Sequence, residues 1–184
     1  YLEPLLGQVT AAEKIAPLIN YHKTAVYKNN SNTRGYSITA TTDQMQGIGL
    51  FDVDFGRFII PADVERKRAV CVVGQTLVTD MFNGKDPLGD KIKLGGIPFT
   101  VVGVLDSIDA GMGNTNNEMI IIPITSAIKH FKYGWWMQYA VKAKPGMVDL
   151  AQDQATDVLR RLRGLKFDEE NNFDYMTADM LLDV

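Results

Sequence analysis

Two places in the chain put carboxylates close enough in sequence to act together: Asp52-Val53-Asp54 and the run from Asp106 to Asp109. Paired acids can move protons when one carboxyl is kept neutral, and their oxygens can hold a hard divalent cation. Acids at alternate positions are also what a solvated strand or loop edge displays. The sequence leaves both readings open, and an enzyme reading would need these acids to converge in a pocket with one pKa raised.

The other reactive residue types stand alone. His22 and His130 are far apart and belong to no Cys/His pattern, so they predict surface or hydrogen-bonded histidines and not a zinc site. Cys71 lies within the apolar run Ala69-Val70-Cys71-Val72-Val73 with no histidine nearby in sequence. It reads as a small buried hydrophobe, unable to form an internal bridge, and not as a nucleophile. Gly95-Gly96 lacks the Lys and Ser/Thr of a phosphate loop and separates two strand-like runs, which predicts a hairpin turn. No Gly-x-Ser-x-Gly elbow occurs. The expectation is a chain with no catalytic, cofactor-binding or metal-binding residues and no enzymatic activity.

Two clusters offer contact surfaces. Arg160, Arg161, Arg163 and Lys166 end a helical stretch, where cations complement the helix dipole, although a membrane-facing patch is the alternative. Phe131, Tyr133, Trp135 and Trp136 crowd one segment, and adjacent tryptophans cannot both face one side of a strand, so an exposed contact residue competes with core packing. Asn29-Asn30-Ser31 is a glycosylation sequon in form only.

The elements that must position these residues follow from composition and pattern. The chain has 184 residues, 46% hydrophobic and 22% charged, enough to bury a core without disulfides or metals and unlike a disordered or fibrous sequence. Its net charge of -3 gives no reason to bind nucleic acid. No stretch reaches the roughly 18 apolar residues needed to span a bilayer. A membrane link, if present, lies outside the chain, and Tyr1-Leu2-Glu3-Pro4 is no signal peptide.

Thr10-Ala11-Ala12-Glu13 has the form of a capping box and suggests a helix limited by Pro17. Leu18 to Tyr27 and Tyr36 to Thr41 read as antiparallel strands around a polar loop. Pro61 to Arg66 suggests a short helix, Ala69 to Val73 a buried strand, and Gln75 to Phe82 an amphipathic helix ended by the Asn83 to Gly89 break. Lys91 to Leu94 and Ile97 to Leu105 form a hairpin about Gly95-Gly96. A glycine- and asparagine-rich loop from Asp109 to Asn117 precedes a strand at Met119 to Pro123. The last third reads strand (Met137 to Ala143), helix (Asp149 to Arg163) and strand (Phe173 to Tyr175). That helix carries a stripe of Val148, Ala151, Ala155, Val158, Leu159 and Leu162. A terminal helix capped by Thr177 would stop as soon as it starts, as in a segment cut from a longer protein.

Several runs taken in order carry a resemblance: Gly56-Arg57-Phe58, Asp63-Val64, Arg68 to Gly74, Leu77, Phe82, Asp86-Pro87-Leu88-Gly89 and Gly96 to Leu105. With Ile15-Ala16-Pro17, Ile38 to Thr41 and Ile120 to Pro123, they resemble the periplasmic core domain of MacB/FtsX-type ABC transporter permeases over nearly the whole chain. The resemblance implies an α+β, two-lobed mixed domain. A porter-like βαβ lobe would come from residues 1–45 and 120–184, with a second, β-rich α/β lobe of residues 46–119 inserted. It also implies an extended Ile15 to Leu18 in place of a helix there, and a chain that opens within the first helix of the first lobe.

The resemblance further implies the extracytoplasmic domain of an inner-membrane permease, anchored through helices outside this chain. Such a domain couples cytoplasmic ATP hydrolysis to export or to periplasmic conformational change. Its partners would be a second permease copy, an ABC ATPase subunit or domain, and a periplasmic adaptor bridging to an outer-membrane channel. The alternatives are a soluble two-lobed ligand-binding protein and, below that, a carboxylate-based enzyme. A preformed apolar cleft between lobes would favour the binding protein, and converging acids the enzyme.

Overall fold

The computed structural model describes residues 2–28, 35–48, 51–106, 116–132 and 136–176. In chain order the elements are α1 (Leu2–Gln8), β1 (Ala12–Val26), β2 (Gly35–Thr41), β3 (Val53–Gly56), α2 (Pro61–Glu65), β4 (Val70–Val73) and α3 (Gln75–Phe82). Then follow β5 (Lys91–Leu94), β6 (Ile97–Leu105), β7 (Met119–Pro123), α4 (Ile124–Phe131), β8 (Met137–Ala143) and α5 (Val148–Leu162). The mixture bears out the α+β class. The chain divides into two compact units, residues 14–142 and residues 1–13 with 143–184.

In the unit of residues 14–142 the strand pairings close on themselves. β1 pairs antiparallel with β2, β2 parallel with β7, β7 antiparallel with β4, β4 parallel with β6, β6 antiparallel with β5, and β5 antiparallel with β1. That ring is a six-stranded barrel, with β8 added to β1 and β3 added to β6. Closure leaves none of the six with a bare edge of its own inside the ring.

Alternation along each strand fills the barrel. Ile19, Tyr36, Ile38, Ala40, Cys71, Val73, Ile92, Leu94, Phe99, Val101, Ile120 and Ile122 form one buried cluster with Leu77, Met81 and Phe82 of α3 and Ile124 and Ala127 of α4. The register explains it: Ile38 faces Ile120 across β2 and β7, Ile120 faces Val73, Cys71 faces Val101, and Phe99 faces Ile92. Residues of opposite parity, Ala16, Val72 and Ile121, make a second buried cluster outside the barrel wall with Met45, Phe51, Phe58 and Ile59.

The Gly95-Gly96 turn has φ of +54° and +87°, both left-handed, which is the two-residue hairpin geometry that only glycine adopts freely. Asn83, at φ +53°, ends α3 in the left-handed cap position where the sequence breaks. Pro17 lies within β1, and its carbonyl accepts a 2.7 Å hydrogen bond from the Thr41 hydroxyl.

In the unit of residues 1–13 and 143–184, α1 packs on α5, with Leu5, Val9, Ala151 and Val158 buried. Gln154 Oε1 accepts from the Ala11 amide at 2.9 Å, and Lys144 donates its amide to the Ala11 carbonyl and its Nζ to that of Thr10.

Three expectations are corrected, and one element for which the sequence reading gave none is added. The capping-box form of Thr10 to Glu13 starts no helix: β1 begins at Ala12, and the helix is α1, ahead of it. The extended Ile15 to Leu18 implied by the resemblance is borne out. Ile124–Phe131 is a helix that the strand-like β-branched composition concealed. Phe173 to Tyr175 is not a strand, because Arg163 holds this segment by hydrogen bonds to Asn172 and a 5.3 Å cation-π contact to Phe173. Val148 is exposed, outside the buried stripe of α5. The Asp109 to Asn117 loop through Thr115, and the Thr177 helix, lie outside the described residues.

Candidate functional site

The most deeply buried charge among the described residues is one the sequence did not single out for chemistry. Asp63, in the first turn of α2, has no exposed surface. Its Oδ2 accepts from Arg57 Nη1 at 2.6 Å and from the Ile60 amide at 3.3 Å, and its Oδ1 accepts from Arg68 Nη1 at 3.3 Å. Pro61 starts α2 at a position where no amide is needed, which places Asp63 with its carboxylate over the helix start.

Burial alone would push the Asp63 carboxyl up. The Arg57 hydrogen bond, the Ile60 amide, the Arg57 charge and the Arg68 hydrogen bond outweigh it and hold the carboxyl below its usual range. A carboxylate held ionised and fully paired by two cations cannot serve as a general acid, and it offers no free lone pair to a metal. It closes the strap of residues 57–68 onto the barrel. Arg57 donates its amide to the Val102 carbonyl at 2.9 Å, the Arg68 amide returns to the Asp63 carbonyl at 2.9 Å, and the Thr125 hydroxyl of α4 donates to the Val64 carbonyl.

The expected acids sit elsewhere. Asp52 and Asp106 are brought together where β3 begins and β6 ends, joined by a 2.9 Å bond from the Asp106 amide to the Asp52 carbonyl, with both side chains exposed. Asp54 is exposed and accepts from Gln75 Nε2 at 2.9 Å. Asp109 lies outside the described residues. Among the described residues no group of three or more His, Cys, Asp and Glu side chains could hold a metal ion.

His22 is exposed on β1, its ring over Gly35, while His130 on α4 packs edge-on against Phe99 with centroids 6.1 Å apart. Cys71 is fully buried in the barrel, and burial pushes its thiol far above the range in which a thiolate forms. Arg161, Arg163 and Lys166 are exposed, but the arginines of the basic cluster are engaged within the chain. Arg160 donates to the Glu169 carbonyl at 2.9 Å and to Asn171 Oδ1 at 2.7 Å, and Arg161 donates to Gln8. Phe131 lies between Tyr21 and Phe99 with Lys23 over its ring. Trp136 is 81% exposed, and Trp135 and Tyr133 lie outside the described residues.

The signal that could have found Asp63 was present: Arg57, Asp63 and Arg68 flank a Pro-initiated turn, and an acid between two arginines before an apolar strand is a candidate buried ion cluster. No helix among the described residues is long and apolar enough to cross a membrane.

Comparison with known proteins gives a consistent picture. The sequence profile of the MacB-like periplasmic core domain matches residues 2–158. The chain is 27% identical over 123 residues to the macrolide export ATP-binding/permease protein MacB of Bdellovibrio bacteriovorus, covering 66% of this chain and 18% of that protein. It is 30% identical over 124 residues to the pyoverdine export ATP-binding/permease protein PvdT of Pseudomonas entomophila, covering 66% of this chain and 19% of that protein. The chain thus spans about a fifth of the length of these relatives. In fold it is similar to the periplasmic region of MacB from Actinobacillus actinomycetemcomitans, with a TM-score of 0.76 at 19% identity, covering 90% of this chain and 75% of that one. It is also similar to the extracellular domain of the ABC-type transporter YknZ from Gram-positive bacteria, with a TM-score of 0.73 at 18% identity, covering 89% and 84%.

Proposed function

The chain belongs to the family of MacB-like periplasmic core domains, and from that premise we propose that it is the extracytoplasmic part of an ABC transporter permease in the inner membrane. In this reading it has no catalysis of its own. It converts movement of transmembrane helices, driven by ATP hydrolysis in the cytoplasm, into opening and closing on the outer side. The observation that carries the reading is the family match over residues 2–158, which spans both compact units. The chemistry of the described side chains agrees with it: the one deeply buried carboxylate is neutralised by two arginines, and Asp52 and Asp106 meet at an exposed strand end.

The partners proposed are a second copy of the permease, an ABC ATPase subunit or domain, and an adaptor protein leading to an outer-membrane channel. Two relatives being named ATP-binding/permease proteins supports the ATPase. The division into a lobe of residues 1–45 and 120–184 and an inserted lobe of residues 46–119 is part of the same proposal. Within the ring the strands of each set are neighbours, β1, β2 and β7 from the first and β4, β5 and β6 from the second, while both sets share one barrel core in the compact unit of residues 14–142.

The test is accessibility in the intact parent protein. A cysteine at exposed Lys85 should react with a membrane-impermeant thiol reagent in cells whose outer membrane is permeable, while buried Cys71 stays unlabelled. Labelling only after the cytoplasmic membrane is broken would overturn the proposal.

A further inference from the structure

The six seams of the barrel are unequal. β1 and β2 are joined over residue pairs from Ile19↔Ala40 to Thr24↔Gly35, β2 and β7 from Ser37↔Met119 to Thr41↔Pro123, and β5 and β6 from Lys91↔Thr100 to Leu94↔Ile97. β4 and β6 are joined from Val70↔Thr100 to Val73↔Val104. Two seams are shorter: β4 with β7, through Val72↔Ile121 and Val73↔Ile120, and β1 with β5, through Ala25↔Leu94 and Val26↔Lys93. In the ring they lie opposite each other. They divide the barrel into one three-stranded half, β1-β2-β7, and another, β4-β6-β5.

The short seams differ in surroundings. At β4–β7 all four paired residues are fully buried, and the Gly74 amide adds a 2.9 Å bond to the Met119 carbonyl. Opening there would wet apolar side chains on both faces of the wall. At β1–β5 only Ala25 and Leu94 are buried, while Thr24, Lys93 and Gly95 are exposed. The Gly95 amide bonds the Thr24 carbonyl at 2.9 Å at one end. Beyond the other end the Tyr27 hydroxyl donates to Asp90 Oδ2 at 2.5 Å, with the Tyr27 ring 4.3 Å from that of Phe82. Local opening follows the line with the fewest buried contacts and the most solvent-exposed backbone bonds.

We infer that this barrel is a hinged device: its two halves pivot about the dry β4–β7 seam and part along the β1–β5 seam, which the Tyr27–Asp90 bond latches shut. The inference stands on the geometry of residues 14–142 and holds whether or not the domain serves a transporter.

Two glycine amides report on the two seams, and amide exchange followed by NMR on the 184-residue chain reads them directly. After correction for intrinsic rates, Gly95 should exchange at least tenfold faster than Gly74. Tyr27→Phe removes the charge-assisted bond at the far end of β5, and should speed the amides that cross this seam, Gly95, Val26 and Lys93, by about a further tenfold while leaving Gly74 unchanged. Equal acceleration at both glycines, or none at Gly95, would overturn the latch. A second variant separates seam opening from fraying of the turn. Val26→Cys with Lys93→Cys joins directly opposed positions, whose spacing suits a disulfide. Oxidation should slow Gly95 toward the Gly74 rate and reduction should restore it. An oxidised protein in which Gly95 keeps its reduced rate would show a fraying turn and sink the inference.

Discussion

Gly103 and Arg57 lie so close that a methyl group on residue 103 would overlap the Arg57 carbonyl oxygen. The Arg57 amide meanwhile bonds the neighbouring Val102 carbonyl at 2.9 Å. Gly56 is held in the same way from the other side, at φ +82°, with its missing side chain directed at Val102 and Gly103. The strap therefore touches the barrel backbone to backbone, which only two facing glycines allow.

Gly103→Ala must push the strap off the wall and should lower stability by roughly 2–4 kcal/mol, the range of overpacked or strained cores. Gly7→Ala in α1 meets open space and should be neutral or stabilising by up to about 1 kcal/mol. Urea denaturation of both variants checks the contrast. Equal effects would mean that the close approach at Gly103 does not constrain the fold.

Asp63→Asn should cost about 2 kcal/mol at pH 7, less than a fully buried pair, because the Arg57 and Arg68 side chains are 38% and 42% exposed and can turn to water. The sign with pH follows from a folded pKa below the unfolded one. The stabilisation is fully present above the unfolded pKa, near 4, and is lost as pH falls through the folded value. The gap between wild type and variant should close on acidification, seen as converging urea midpoints toward pH 2. A gap that stays constant would mean that the carboxylate charge is not what stabilises.

Arg160→Ala frees the Lys166 to Asn171 segment, which the guanidinium ties back to α5 through the Glu169 carbonyl and Asn171. Trypsin cleavage after Lys166 should become several-fold faster while the barrel fragment stays resistant. Arg160→Lys should not restore protection, since one ammonium cannot reproduce the planar fork.

Cys71 should react with a thiol reagent only when the barrel opens, because its side chain points into the buried cluster and its thiol is held neutral. Its labelling rate at pH 8 should rise with urea in parallel with global unfolding. Fast labelling in native buffer would show that the barrel interior is already accessible.

The sequence made the local elements legible wherever pattern and punctuation agreed. Lys91 to Leu94 alternates, Gly95-Gly96 turns and Ile97 to Leu105 is β-branched, so the hairpin could be read before any pairing was known. α4 was hidden because Ile124, Thr125 and Ile128 favour strands. Its Ile124, Ala127, Ile128 and Phe131 nonetheless recur at helical spacing, and that stripe packs into the barrel core. Ring closure was not legible. It depends on Ala25 meeting Leu94 and Val73 meeting Ile120, pairs separated by long stretches of chain whose choice of partner no local pattern encodes. Asp63 was legible as an acid between two arginines, but its complete burial was not, since the strap that carries it is tied down by partners distant in sequence, Val102 for the Arg57 amide and Thr125 for the Val64 carbonyl.

The closed ring also limits how such a domain can change over evolution. Excising residues 46–119 would leave β8, β1, β2 and all but the first residue of β7 as an open sheet, in which β7 and the Ala25 end of β1 offer unpaired amides and carbonyls beside Ala25, Ile120 and Ile122. A lineage that lost the inserted segment in one step would gain a sticky template for sheet-to-sheet aggregation, not a smaller version of the same domain.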